Sequence, residues 1–165
     1  MLYRFFKAFD REKHTELVEI MKEEGLDSRD VRIIENLYWN QTAYVNIAGN
    51  KTEETKIQRG FRQGYVFSPT LFNIYSKKIF QEALEGSPEE IIINVEIINK
   101  IRYADDTVIL ASSLEDLQTL LEKINATSVK YGLNLNTSKT KYMTISKNAL
   151  PPMVSTLNIY VYRTS

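Results

Sequence analysis

Cysteine is absent from the 165 residues. That removes disulfides, thiolate metal sites and a cysteine nucleophile. A single histidine, His14, excludes a His-rich metal centre and leaves little room for a histidine-based triad. Neither sign of charge is in excess: Lys+Arg number 21 and Asp+Glu 21, with a pI near 6.6. A generally basic nucleic-acid coat is therefore excluded, and phosphate contacts have to come from a local patch. No apolar run is long enough to span a bilayer; Ile91 to Ile98 is interrupted by Asn94 and Glu96. The N-terminal MLYRFFKAFD carries Arg4 and Lys7 within its apolar part, so no signal peptide is read and an intracellular chain is expected. Asn-x-Ser/Thr triplets at Asn40, Asn125 and Asn136 carry no weight without secretion.

What is present is a foldable apolar set: 43% hydrophobic residues, with ten Tyr, seven Phe and one Trp. The length fits one domain or a piece of a larger one. The chain opens directly on Leu2 to Phe9, an aromatic-rich buried strand, which leads to the expectation that an N-terminal part is missing. Residues 11–24 form a helix on the spacing of Leu17, Ile20 and Met21, stopped by Gly25. Asp27 or Ser28 caps a second helix with Val31, Ile34, Leu37 and Tyr38 on one face. Thr42 to Ala48 alternates as a strand, Gly49-Asn50 turns, and Thr52 to Gln58 returns.

Gly60-Phe-Arg-Gln-Gly64 is a loop with two permissive glycines. Ser68-Pro69 opens a helix, Ser as N-cap, with Leu71, Phe72, Tyr75, Ile79, Phe80 and Ala83 as its apolar face. Two short β-branched runs flank Asn94-Val95-Glu96. Tyr103-Ala-Asp-Asp106 lies between two apolar runs and reads as a hairpin with both acids at its tip. Ser112 or Ser113 caps a helix striped by Leu114, Leu117, Leu120, Leu121 and Ile124, and Gly132 ends it. Lys141 to Ser146 is a last strand, and the tail 147–165 has no clear period.

With 11–58 set aside, the order is strand, helix, hairpin, helix, strand. That is an α+β, ferredoxin-like split βαβ arrangement: an antiparallel sheet with helices on one face. It makes residues near 4 neighbours of 105–106.

Three groups of residues carry chemistry. Asp105 and Asp106, about 5 Å apart, repel by roughly 3 kcal/mol at an effective dielectric of 20, a penalty that a divalent cation removes. Two-metal phosphoryl transfer uses such carboxylates, although Asp is also an ordinary turn residue. In the glycine loop, Arg62 and Gln63 can donate to phosphates or base edges, and the plain alternative is a turn into a helix. In Gly132 to Lys141, Lys139 can protonate a leaving group or pair with phosphate, and the plain alternative is a solvated cation. Lys51, Lys56, Arg59 and Arg62 can form a local phosphate-binding strip, and the plain alternative is a solvated stretch in which Glu53 and Glu54 dilute the charge. His14 is expected to cap or pack a helix start.

Taken together, KAFD (Lys7–Asp10), His14 with Leu17, GFRQG-YVFSPTLFNIY (Gly60–Tyr75), RYADDTVILA (Arg102–Ala111) and GLNLN-TSKTK (Gly132–Lys141) resemble the reverse transcriptases of LINE-type, non-LTR retrotransposons, over roughly residues 1–146. The resemblance implies a polymerase palm over 1–146, with a partial fingers-side helical and hairpin insertion at 11–58 and a truncated tail at 147–165. It implies extension of a DNA primer on an RNA template from deoxynucleoside triphosphates, with Mg²⁺. By motif, Asp105 and Asp106 match the metal-binding YxDD acids, next to Tyr103. Phe9 matches the gate under the sugar, Gln63 and Gly64 (after Arg62) match the loop against template and incoming base, and Lys139 matches a general acid.

The family's first motif reads aromatic-Ile-Asp-x-x-Lys-Ala-Phe-Asp, and its first Asp is the third metal carboxylate. That position here is Arg4. Asp10 matches the motif's last Asp, which is not the ligand. Arg4 is expected to fork onto Asp105 or Asp106, neutralising the pair without metal and blocking the site. Tyr65 where the family has Cys, Phe67 for an aliphatic residue and Glu12 for an apolar one are further departures. Three readings stay open: a non-catalytic nucleic-acid-binding palm, a decayed retrotransposon fragment, and an active nucleotidyl transferase rescued by another acid.

Overall fold

A computed structural model describes residues 1–38, 41–62, 64–86, 92–93, 96–97, 100–103, 106–145 and 154–155. The chain is α+β and divides into two units, Lys7–Lys78 and Met1–Phe6 with Ile79–Ser165.

The Lys7–Lys78 unit opens with a 3-10 turn, Ala8–Asp10, entered through Lys7 at φ 48. The apolar-aromatic run therefore stops being a strand well before Phe9. Helix α1 (His14–Glu23) buries Leu17, Val18, Ile20 and Met21. It ends in a Schellman motif: the Gly25 and Leu26 amides bond the Lys22 and Met21 carbonyls, and Gly25 takes φ 80. Helix α2 (Ser28–Tyr38) is capped by Asp27, whose carboxylate accepts from the Arg29 amide at 2.7 Å.

The alternating stretch that follows is two broken pairs: β2 (Thr42–Ala43) with β5 (Thr55–Lys56), and β3 (Asn46–Ile47) with β4 (Asn50–Lys51). The turn is centred on Ala48-Gly49 (φ 49 and 90), one residue earlier than its glycine-asparagine pair suggests, because a two-residue hairpin loop needs left-handed backbone at both positions. All four strands are exposed, so their alternation does not mark a core face.

Helix α3 (Ser68–Leu84) runs through the division between the units. Ser68 does not cap it. Its hydroxyl donates to the Arg62 carbonyl at 2.7 Å and lies 3.1 Å from the Tyr38 hydroxyl, while the Phe67 carbonyl accepts the first helical bond from Leu71.

The other unit is built on a three-stranded antiparallel sheet. Strands β6 (Ile92–Ile93) and β7 (Glu96–Ile97) form a separate pair. Strands β8 (Lys100–Tyr103), β9 (Asp106–Ile109) and β1 (Leu2–Arg4) lie in the order β1-β9-β8. The free edge of β1 is bridged by Leu135 (to Phe5) and Lys141 (to Leu2), so the segment 135–141 lies beside β1 opposite β9. Helix α4 (Leu114–Lys130) is capped by Ser113, whose hydroxyl accepts from the Asp116 amide at 3.0 Å. It buries Leu117, Leu120, Leu121 and Ile124, while Leu114 of the expected stripe is exposed. A second Schellman motif closes it: the Gly132 and Leu133 amides bond the Val129 and Ser128 carbonyls. With Ile79, Phe80, Ile109 and Leu133, that stripe makes the unit's core.

Strand β10 (Tyr142–Met143) pairs with β11 (Val154–Ser155), so the stretch read as a periodless tail contributes a strand. Among the described residues no helix is long and apolar enough to cross a membrane.

Candidate polymerase site

Strand β9 alternates. Thr107 and Ile109 are 1% and 0% exposed, while Asp106 and Val108 face the other way and are half-buried. The antiparallel register sets Leu2 against Val108 and Arg4 against Asp106. A period of two therefore brings Arg4 and Asp106 to one face, directly across a strand boundary. Their side chains form a two-pronged ion pair. The Arg4 Nε donates to Asp106 Oδ1, and Nη2 donates to Oδ2 at 2.7 Å. This is the fork expected from the sequence, and Asp106 is the acid it takes. Asp105 lies outside the described residues.

The Asp106 carboxyl is held below its ordinary value, first by the Arg4 hydrogen bonds, which outweigh the opposing effect of burial, and then by the charges of Arg4 and Lys139. Lys139 ends a 3-10 turn, Thr137–Lys139. That turn is anchored on β1, since the Asn136 amide donates to the Arg4 carbonyl at 2.9 Å. Tyr103 closes β8 opposite Asp106 in register, and its side chain lies outside the described residues. The unit thus assembles Arg4, Asp106 and Lys139, a carboxylate facing two cations. Both oxygens of Asp106 are engaged by Arg4, and among the described residues no group of three His, Asp or Glu could hold a metal ion. Among the described residues of the site, Asp106 is held by Arg4 rather than left open to a divalent cation.

The remaining expected site residues lie in the Lys7–Lys78 unit. Phe9 sits in the 3-10 turn with its ring 4.7 Å from that of Phe72. The Phe9 carbonyl accepts from the Phe61 amide at 2.7 Å, which pins the glycine loop to the first motif. Gly60 is required there: its φ is 86, and a Cβ would stand 3.0 Å from the Asp10 Cα. Gly64 has φ 85. Arg62 is exposed, and its guanidinium donates to the Gln41 side chain and the Tyr65 hydroxyl at 2.8 Å each. Gln63 lies outside the described residues. Asp10 is exposed. His14 is buried, its ring nitrogen 2.8 Å from the Gly60 carbonyl; it supports the loop, in line with its reading as a packing residue.

Two features escaped sequence reasoning. Glu12 is 0% exposed, and neither carboxylate oxygen meets a hydrogen-bond partner among the described residues. Burial, reinforced by the Asp10 charge and opposed by the amides of Glu12 and Arg11, pushes its pKa up to about 8. The only signal for it was a charged residue where an apolar one is usual. The second feature is a basic cavity beside the α1 N-terminus, formed by residues far apart in sequence.

An α+β fold with an antiparallel sheet carrying a paired acid defines the class, and comparison with known proteins defines the family. The profile of "Reverse transcriptase (RNA-dependent DNA polymerase)" matches residues 5–158. The chain belongs to the reverse transcriptase family. It is 33% identical over 135 residues to the Pol polyprotein from type-2 retrotransposable element R2DM of Drosophila melanogaster, covering 81% of this chain and 12% of that protein. It is 31% identical over 139 residues to the Pol polyprotein from type-1 retrotransposable element R2 of Bradysia coprophila, covering 84% and 16%. The chain therefore spans well under a quarter of the length of either relative. The expected kinship with non-LTR retrotransposon reverse transcriptases is borne out. In fold, the chain is similar to apo telomerase from Candida tropicalis truncated from its C-terminal domain, with TM-score 0.60 and 19% identity, covering 93% of this chain and 30% of that one.

Proposed function

We propose that the chain is a reverse-transcriptase palm that retains polynucleotide binding while its nucleotidyl-transfer site is closed by Arg4. The strand order, segment 135–141, then β1, β9 and β8, supports a ferredoxin-like palm. In this reading residues 1–146 are the palm, 11–58 its fingers-side insertion and 147–165 a tail. Family membership supports an ancestral role in copying an RNA template onto a DNA primer with deoxynucleoside triphosphates and a divalent metal such as Mg²⁺. Asp105 and Asp106 would be the metal acids. Phe9, Arg62, Gln63, Gly64 and Tyr103 would line the substrate, and Lys139 would face the leaving group.

The Arg4–Asp106 fork carries the proposal. A guanidinium supplies five N–H donors and no acceptor, so it cannot become a metal ligand. It offsets the negative charge that would otherwise attract the cation. Primer extension on an RNA template with Mg²⁺, comparing the chain with its Arg4→Asp variant, tests the reading. The unaltered chain is expected to yield no DNA. DNA made by it would overturn the proposal.

A further inference from the structure

One cavity in the Lys7–Lys78 unit, of about 450 Å³, is lined by Lys13, Thr15, Gln41, Lys56, Gln58 and Arg59, with Ile57 and the supporting His14. Its wall holds three cations and two carboxamides, and no carboxylate. Glu12 does not line it, and Glu16 stands 3.7 Å from the Lys13 ammonium.

The backbone builds this wall. Residues 55–60 run between two partners. On one side Lys56 pairs with Thr42, and the Ile57 amide donates to the Gln41 carbonyl at 2.8 Å. On the other, Arg59 bridges to Lys13, and the Gly60 amide donates to the Glu12 carbonyl at 2.9 Å. Lys13 and Arg59 are thus set side by side by main-chain pairing. The floor is the first turn of α1. Its N-cap, Lys13, makes no side-chain cap, so the positive end of a ten-residue helix opens beside the cations. Three cations, a carboxamide donor and an uncapped helix end converge on one ligand chemistry, a phosphate oxyanion.

We infer that this cavity is a phosphodiester-binding site that seats the backbone of a single-stranded polynucleotide. The inference rests on the polynucleotide-binding reading above and adds where the strand is held. Contacts through Lys13, Lys56 and Arg59 go to phosphate oxygens, so the site reads no base sequence. The Gln58 carboxamide adds a donor whose contribution does not vary with salt, while the Gln41 carboxamide is held by the Leu37 carbonyl and Arg62 and serves the wall. Arg62, which the sequence grouped with Lys56 and Arg59, is committed to Gln41 and Tyr65 and serves the wall.

The test is fluorescence anisotropy with a labelled oligouridylate of about 12 nucleotides, a length within the range one such groove covers. It compares the full chain, the Lys56→Gln/Arg59→Gln variant and an Arg32→Gln control on α2. Each phosphate contact with a single strand contributes about 0.7 to the slope of log affinity against log salt. The double variant should flatten that slope by about 1.4 and weaken binding about 25-fold near 0.1 M salt, with Arg32→Gln unchanged. Both substituted residues are exposed, and circular dichroism checks that the variant is folded. Gln58→Glu, which adds an anion to the wall, should weaken binding independently. Binding by the double variant with the parent's affinity and slope would overturn the cavity and leave the polynucleotide-binding reading standing. No RNA binding by the parent chain would overturn both. Inorganic triphosphate is the competitor. If the double variant loses triphosphate binding and keeps RNA binding, the site belongs to a free nucleotide and the inference fails.

Discussion

Replacing Arg4 with Asp reverses one charge at a position whose partner is known. Arg4 and Asp106 face each other across adjacent strands, so the new carboxylate would stand about 5 Å from the old one. Two effects follow. The fork is lost; its members are 37% and 32% exposed, which limits its worth to about 1 kcal/mol. Like charges then repel by roughly 1 kcal/mol if the site is fully wet and about 3 kcal/mol at an effective dielectric of 20. The variant should therefore be about 2–4 kcal/mol less stable in EDTA. For a chain of this size that lowers Tm by roughly 5–12 °C. Arg4→Ala, which removes the fork and adds no charge, should lose only about 1 kcal/mol. Mg²⁺ separates this account from simple damage. A cation present at about a hundred times its dissociation constant returns about 2.7 kcal/mol. Thermal unfolding with and without Mg²⁺, beside titration calorimetry, should show Arg4→Asp gaining stability with metal while the parent and Arg4→Ala do not. If all three respond to Mg²⁺ alike, the claim that Arg4 stands in for a cation is refuted.

Glu12 supplies the second prediction. Its folded pKa is about 8 against an ordinary value of 4.5, so the folded state binds the extra proton. Stability is then complete below about pH 4.5, falls as pH rises, and levels off above about 8, a loss on the order of 3–5 kcal/mol. Glu12→Leu should abolish that decline and be the more stable protein at pH 8.5; urea midpoints with the same pH slope in both proteins would count against it. Asp106 works in the opposite sense. Its folded pKa is depressed, so its contribution is present above its ordinary value of 3.8 and fades as pH falls below it, a fade that Arg4→Ala should remove from acid-denaturation curves. Gly60→Ala places a Cβ 3.0–3.1 Å from Asp10 main-chain atoms at φ 86 and should cost about 2–4 kcal/mol in urea unfolding; a loss below about 0.5 would mean the loop is not pinned there. Ser113→Ala removes the α4 cap and should cost about 1 kcal/mol in the same assay.

How far the sequence led depended on whether a residue's partners were local or periodic. Helices α1 and α4 were legible because their apolar spacing and closing glycines act within a few residues. The Arg4–Asp106 pair was legible although the two are far apart in sequence, because strand periodicity fixes a face and the strand order fixes the neighbour. Where competition between partners decided, the reading slipped. Ser68 has the chemistry of an N-cap, but the Arg62 carbonyl and Tyr38 hydroxyl take its side chain. The 42–58 alternation is real and yet marks no core, since those strands are exposed. The basic cavity was legible only in part: Lys56 and Arg59 belong to the expected strip, but Lys13 and Gln41 meet them only after two separate main-chain pairings form.

Arg4 and Glu12 show how composition alone misleads. Both put a charge where the family has a different residue, and sequence weighs them equally. Structure separates them by partner. Arg4 meets a carboxylate at the sheet surface, so its charge is compensated and the departure is stable at neutral pH, and in the proposed reading it closes the site to a cation. Glu12 is buried, and among the described residues only the weak pull of its own and the Arg11 amides opposes that burial, so its charge is poorly compensated and the cheaper response is to keep a proton. In the proposed reading one substitution changes what the site can bind, and the other changes how firmly the first motif and glycine loop are held as pH rises. Glu12→Leu should therefore tighten the loop without restoring metal affinity, and Arg4→Asp should restore metal affinity without altering the decline in stability between pH 4.5 and 8. A variant that moved both properties together would mean that the two charges act through one shared network.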